Sequence, residues 1–177
     1  MSEGTRVSAE QVRVAAERRE RREARTRGIR LVVVALAVLV ADQALKEAVR
    51  SGMARGESRE LLPFLELTRV TNEGIAFGLF PGRQAVIAGL TLVALCLIAV
   101  ALAGLVRRNM TAAVGAGLLV GGSMGNLLDR VLHGGVTDYI DFRFWPAFNL
   151  ADVGITVGAA MVVMGLLRTD DDDARDG

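Results

Sequence analysis

Apolar residues in this chain neither recur with the spacing of an amphipathic helix nor alternate as in a half-buried strand; they come in long, nearly uninterrupted blocks. A helix needs about 20 such residues to cross the hydrocarbon of a bilayer. Residues 28–45 hold LVVVALAVLVA with one acid, Asp42, near the end; 85–106 is free of charge; 110–128 is uncharged but carries Ser123 and Asn126; 147–167 has Asp152 as its one charge. The pattern predicts four membrane spans, at 28–45, 85–106, 110–128 and 147–167, joined on one side by connections at 46–84 and 129–146. The first block follows a basic stretch, as in a cleavable signal peptide. A cut after Ala41 would put Leu39 at the minus-three position, a poor small-x-small site, so the block is read as a span.

The connection at 46–84 carries two apolar clusters, 61–65 and 75–80, and a turn signal at Asn72-Glu73-Gly74. Those features predict short strands resting on the membrane surface rather than a slack linker. Gly117, Gly121 and Gly125, then Gly154 and Gly158, stand four apart within the third and fourth spans. Small residues at that spacing let membrane helices approach closely, because lipid supplies no hydrophobic drive for their association.

Composition sharpens the picture only once the charges are placed. Of 177 residues, 51% are hydrophobic and the formal net charge is +1, but the charges are segregated. Residues 1–30 hold nine Arg and five Glu, 168–177 hold five Asp and two Arg, and between 85 and 128 only Arg107 and Arg108 are charged. This distribution excludes a disordered chain and most soluble folds, and a single Cys excludes a disulfide scaffold. With four spans both termini share a side, which collects 13 of the 21 basic residues. That bias predicts cytoplasmic termini and outward-facing connections. The organisation expected is a basic leader at 1–27, a membrane domain at 28–167 and an acidic tail at 168–177, with the leader solvated or touching anionic membrane lipids.

Ionisable residues at membrane depth are costly and mark sites. Here they gather at the outward ends of the spans: Asp42 with Lys46, Asn126 with Asp129 and Arg130, then Asp138, Asp141, Asn149 and Asp152. Asp42 and Lys46 are four apart and read as an ion pair on one helix face. Asn126 and Arg130 are also four apart, and could hold either a neighbouring loop or a substrate carbonyl. Asp138 and Asp152 have no basic residue at pairing distance in their own segments. Thirteen residues separate them, few enough for the chain to fold back and bring the carboxyls together. Two carboxylates in a partly dry site share a proton, so one activates water while the other protonates a leaving amine. Other chemistries are poorly supplied: there is one His, a mid-span Cys96, no cluster for a metal and no phosphate loop.

The segments GGSMGNLLDRVLHGGVTDYIDF and FNLADVGITVGA, preceded by TNEGIAFGLF and by ADQALK in the first span, closely resemble the bacterial lipoprotein signal peptidases, the type II signal peptidases. The likeness runs in order over residues 30–167. It implies an all-α integral membrane protein of four transmembrane helices with a small extracytoplasmic β-cradle. It further implies an aspartic endopeptidase of the bacterial plasma membrane, without cofactor or metal and working as a monomer, that cuts diacylglyceryl-modified prolipoproteins on the amino side of the lipidated cysteine. Carried over position by position, the catalytic pair is Asp138 and Asp152. Asp42, Lys46, Asn72, Gly74, Asn126, Asp129, Arg130 and Asn149 match positions that support the site and the substrate. Sensitivity to the cyclic peptide globomycin is implied as well. The chain departs from the pattern in TDY where many members have VDF, in Val153 where many have Ser, and in a compact connection between the aspartates. Two other classes stay open on the residues alone. A proton-coupled transporter would spread acids across the membrane and favour an internal repeat, and a packing protein would pair every acid with a base. Nucleic acid is not an expected partner.

Overall fold

A computed structural model of the protein describes residues 9–74 and 84–176. Its elements run α1 (Ala9–Gly52), β1 (Ser58–Leu62), β2 (Leu65–Asn72), α2 (Gln84–Arg108), α3 (Met110–His133), β3 (Val136–Asp141) and α4 (Leu150–Asp176). Among the described residues four helices are long and apolar enough to cross a membrane. The three strands form one antiparallel sheet in the order β1-β2-β3.

Helix α3 is the centre of the bundle and packs against α1, α2 and α4. Its small residues decide this: Ala112, Ala113, Gly115, Ala116, Gly117, Gly121, Gly122 and Gly125 are all buried. A Cβ at Gly121 would stand 2.5 Å from the Ala35 carbonyl oxygen, and one at Gly158 2.5 Å from that of Gly115, so the helix backbones touch where side chains would hold them apart. Helix α2 is the opposite case. Leu90, Leu97 and Val100 are more than 60% exposed, and with no water-seeking atom on them this surface suits lipid. Asn109 separates α2 from α3, its side chain accepting from Ala112 N at 3.0 Å as an N-cap, and Gly134 at φ 73° ends α3.

From Ala9 onward the leader is helical. Its interleaved Glu and Arg are good helix formers, and ion pairs such as Arg19–Glu23 and Arg27–Glu23 lie four apart. It therefore continues into the first span as one helix of 44 residues, about 66 Å long at 1.5 Å per residue. The tail's backbone likewise continues α4 to Asp176.

The sheet closes one end of the bundle. Residues 61–65 do not form one strand: β1 and β2 share them around a turn at Pro63-Phe64. The Asn72-Glu73-Gly74 signal is a real turn in which Gly74 N donates to Asn72 Oδ1 at 3.0 Å. The cluster at 75–80 lies outside the described residues. Arg69 donates to the Arg50 and Met53 carbonyls at 2.7 and 2.6 Å and so caps the end of α1 against β2. Val49, Met53 and Tyr139 form a small core between α1 and the sheet.

Candidate active site

Asp138 lies on β3, which the alternation in Val136-Thr137-Asp138-Tyr139 makes two-faced. Register places Asp138 opposite Val70 and Asn72 opposite Val136, so Asn72 and Asp138 share a face as diagonal neighbours. Asn72 Nδ2 donates to Asp138 Oδ2 at 3.1 Å. The chain then turns back, and Phe148 pairs its backbone with Ile140 through bonds of 2.9 and 3.0 Å. That pairing delivers Asn149 beside β3, where its Nδ2 donates to Asp138 Oδ1 at 2.6 Å. It also keeps residues 147–149 out of the helix, which starts at Leu150.

Asp152 is fixed by the start of α4. Asn149 Oδ1 accepts from Asp152 N at 3.0 Å while Asp152 Oδ2 accepts from Asn149 N at 3.2 Å, a reciprocal capping box. The two other N–H groups of the first turn are met from elsewhere: Leu150 N donates to the Tyr139 hydroxyl at 3.1 Å and Ala151 N to Asp42 Oδ1 at 3.0 Å. Two other elements, β3 and α1, thus hold this helix end. The remaining Asp152 oxygen, Oδ1, accepts from Asn126 Nδ2 of α3 at 2.8 Å.

Behind this pair lies a dry charged network. Asp42, Lys46 and Asp129 are completely buried. Lys46 Nζ stands 2.8 Å from Asp42 Oδ2, 3.4 Å from Asp129 Oδ2 and 2.8 Å from Asn126 Oδ1. The last contact fixes the Asn126 amide: with its oxygen on a cation, its NH2 is turned to Asp152. Gly125 makes room for Asp42, since a Cβ there would lie 2.5 Å from Asp42 Oδ2. Asp129 also accepts from Thr137 N at 2.9 Å, tying α3 to β3.

Asp138 and Asp152 line one open cavity of about 770 Å³, with Asn72, Gly74, Asn126 and Arg130 on its wall and residues 145–148 as a rim. Burial pushes the Asp138 carboxyl up to about 7, and the charge of Asp152 pushes in the same direction against the bonds from Asn72 and Asn149. Arg130 donates to the Asn126 carbonyl at 3.2 Å and to the Gly74 carbonyl at 3.4 Å, and its buried Nε has no partner among the described residues. Its charge acts on both aspartates. They lack a base within their own segments but not in space, because α3 supplies one. No group of His, Cys, Asp and Glu suited to a metal occurs among the described residues.

Asp42, Lys46, Asn72, Gly74, Asn126, Asp129, Arg130, Asp138, Asn149 and Asp152 therefore meet at one end of the bundle. Sequence reasoning missed four participants. Gln43 donates to the Gly125 carbonyl at 3.1 Å and to Asp129 at 3.2 Å, and Arg50 donates to Asp129 and Thr137 at 3.2 Å. Thr137 and Tyr139 complete the set. A signal for Arg50 was present, since Asp42, Lys46 and Arg50 are spaced by four on one face of α1. Tyr139 carried none, because its hydroxyl partner is decided by where α4 begins.

Comparison with known proteins gives one answer. The family described as signal peptidase (SPase) II matches residues 34–168. A protein named lipoprotein signal peptidase from Pelotomaculum thermopropionicum is 38% identical over 146 residues, covering 82% of this chain and 96% of its own. One of the same name from Brucella ovis is 42% identical over 141 residues, covering 76% and 86%. A solved bacterial membrane enzyme, determined at 2.3 Å by the in meso method, superposes with a TM-score of 0.67 at 30% identity over 80% of this chain and 90% of that one. A second, at 1.9 Å, gives 0.66 at 33% identity over 77% and 92%.

Proposed function

The chain belongs to the signal peptidase (SPase) II family of membrane peptidases, and from that premise we propose that Asp138 and Asp152 hydrolyse the peptide bond on the amino side of a diacylglyceryl-modified cysteine in prolipoproteins. One observation carries the assignment: two carboxyls from β3 and α4 line a single cavity, and the charge of one helps raise the other to about 7. Asp138, protonated below about pH 7, donates a hydrogen bond to the scissile carbonyl oxygen. Asp152, with both oxygens fixed by N–H donors, takes a proton from water as the water oxygen attacks the carbonyl carbon. The tetrahedral intermediate carries its charge toward Asp138 and the Arg130 guanidinium. Asp152 then gives its proton to the nitrogen as the C–N bond breaks, leaving a new carboxylate on the signal peptide and a free amine on the lipidated cysteine.

Asn72, Asn126 and Asn149 aim the pair, while Asp42, Lys46 and Asp129 hold Asn126 and α4 in place. Gly74 and Arg130 face the substrate. The membrane domain occupies 28–167 in a bacterial plasma membrane, with leader and tail in the cytoplasm. The basic residues of the leader and Arg107-Arg108 support that orientation. The site then lies near the outer leaflet, at the depth of a cysteine anchored by its own lipid. The test is gel-shift processing of a diacylglyceryl prolipoprotein by the purified protein. Cleavage is expected from the wild type and is blocked by globomycin. Asp138→Asn and Asp152→Asn, folded in detergent, give none, and processing by either at the wild-type rate rules the pair out.

A further inference from the structure

The chain between β3 and α4 is short, and it turns on Arg143. That residue has φ 61°, the one non-glycine in the left-handed region among the described residues. Arginine does not favour this conformation, so something must hold it. Arg143 N donates to Asp141 Oδ1 at 2.7 Å, and Phe144 N reaches back to the Phe142 carbonyl at 2.7 Å, closing a tight three-residue turn. The guanidinium then spans the sheet to the β1–β2 hairpin. Nε donates to Glu66 at 2.8 Å, Nη2 to Glu60 at 2.9 Å and Nη1 to the Pro63 carbonyl at 3.2 Å. Every N–H-bearing nitrogen of the guanidinium is engaged. Two carboxylates and a carbonyl in fixed positions around one planar cation hold it far better than one flexible pair would.

Immediately after this turn the chain forms the rim of the cavity, which residues 145–148 line directly. The Phe142 ring stacks against both Phe144 and Phe148, each with its centroid 5.8 Å away, so a displacement of the turn carries to the rim. We infer that Arg143 is a positioning residue which, by clamping the β3–α4 turn to the β1–β2 hairpin, holds the 145–148 rim over the aspartate pair and sets substrate capture. The inference rests on the proposed peptidase reading for its substrate, but the clamp has a readout of its own. Trp145 is the single tryptophan in the chain, so tryptophan fluorescence, excited selectively over Tyr139, reports the rim alone.

The experiment compares wild type, Arg143→Gln, the Glu60→Gln/Glu66→Gln double variant and the combination of all three changes, each purified in detergent. Acrylamide quenching of Trp145 and steady-state cleavage of a diacylglyceryl prolipoprotein are measured on every form. Arg143→Gln is expected to raise quenching and to raise KM roughly fivefold with kcat unchanged, the loss of a multiply bonded ion cluster at a partly exposed site. The Glu pair gives the same result, and the triple variant is no worse than either, since all act through one contact. Arg143→Lys, which keeps the charge but not the fork, falls between. Unchanged quenching in Arg143→Gln overturns the clamp, as does a fall in kcat at constant KM. Should Arg143→Gln not accumulate, unchanged quenching in the Glu pair overturns it equally. If the wild type leaves the lipidated precursor uncut, the peptidase reading falls, and the clamp is judged by quenching.

Discussion

Replacing Lys46 with Met separates the structural from the chemical contribution of the buried network. Met has similar length and no charge, so the volume is kept while Asp42 and Asp129 lose a cation 2.8 and 3.4 Å away. Both carboxylates are completely buried. Asp129 keeps Arg50 and Gln43, but Asp42 keeps only Gln43 Nε2 and Ala151 N. Stranding one buried charge costs about 3–5 kcal/mol, which predicts a large drop in thermal stability in detergent. Adding Asp42→Asn removes the stranded charge, and its amide oxygen still accepts from Ala151 N, so most of the stability returns. Activity does not return with it. Lys46 Nζ at 2.8 Å from Asn126 Oδ1 orients the amide that donates to Asp152. A hydrogen bond to a charged group is worth about 1.5–3 kcal/mol, or roughly 10- to 150-fold in rate. Asn149 still donates to Asn126 Oδ1 at 3.2 Å, which puts the expected loss at the lower end, roughly tenfold in kcat. The assay is thermal unfolding by circular dichroism beside kcat for lipidated precursor. A Lys46→Met/Asp42→Asn protein that is stable and has wild-type kcat would refute the orienting role and leave Lys46 as a packing residue.

The hydrogen bond from Asp138 to the scissile carbonyl gives a pH dependence whose sign that carboxyl fixes. The carboxyl is raised to about 7, so it is protonated below that value and loses its proton above it; kcat measured from pH 5 to 9 should fall as pH rises through about 7. Asn72→Ala removes a donor that favours the charged form, and should shift this alkaline limb to higher pH; a shift to lower pH contradicts the assigned geometry. Gly125→Ala forces a Cβ to 2.5 Å from Asp42 Oδ2 and is expected to cost about 1–3 kcal/mol in thermal stability, whereas Gly28→Ala meets nothing within 4 Å and should be neutral or slightly stabilising.

Four apolar blocks and a row of polar residues at one shared end of them were legible because both follow from local composition: hydrocarbon tolerates nothing else over about 20 residues. The spacing of Gly117, Gly121 and Gly125 likewise announced a face for close packing. The third strand was not legible. Val136–Asp141 is bounded by the end of α3 and becomes a strand only by pairing with β2. Thr137 has no meaning in the sequence until that pairing puts its N–H on Asp129.

By itself, then, the sequence determined a membrane bundle and the candidates for its chemistry, since hydrophobic length, charge segregation and motif order are properties of the chain read in one dimension. Only the tertiary structure decided how Asp138 and Asp152 are aimed. That depends on a sheet register, a backbone pairing of Phe148 with Ile140, and a helix start whose N–H groups are met by its own capping box, by β3 and by α1. It also decided that the pair has a base nearby, Arg130, although neither aspartate has one in its own segment. Electrostatic neighbours are set by distance through space, which the spacing of residues along a chain does not record.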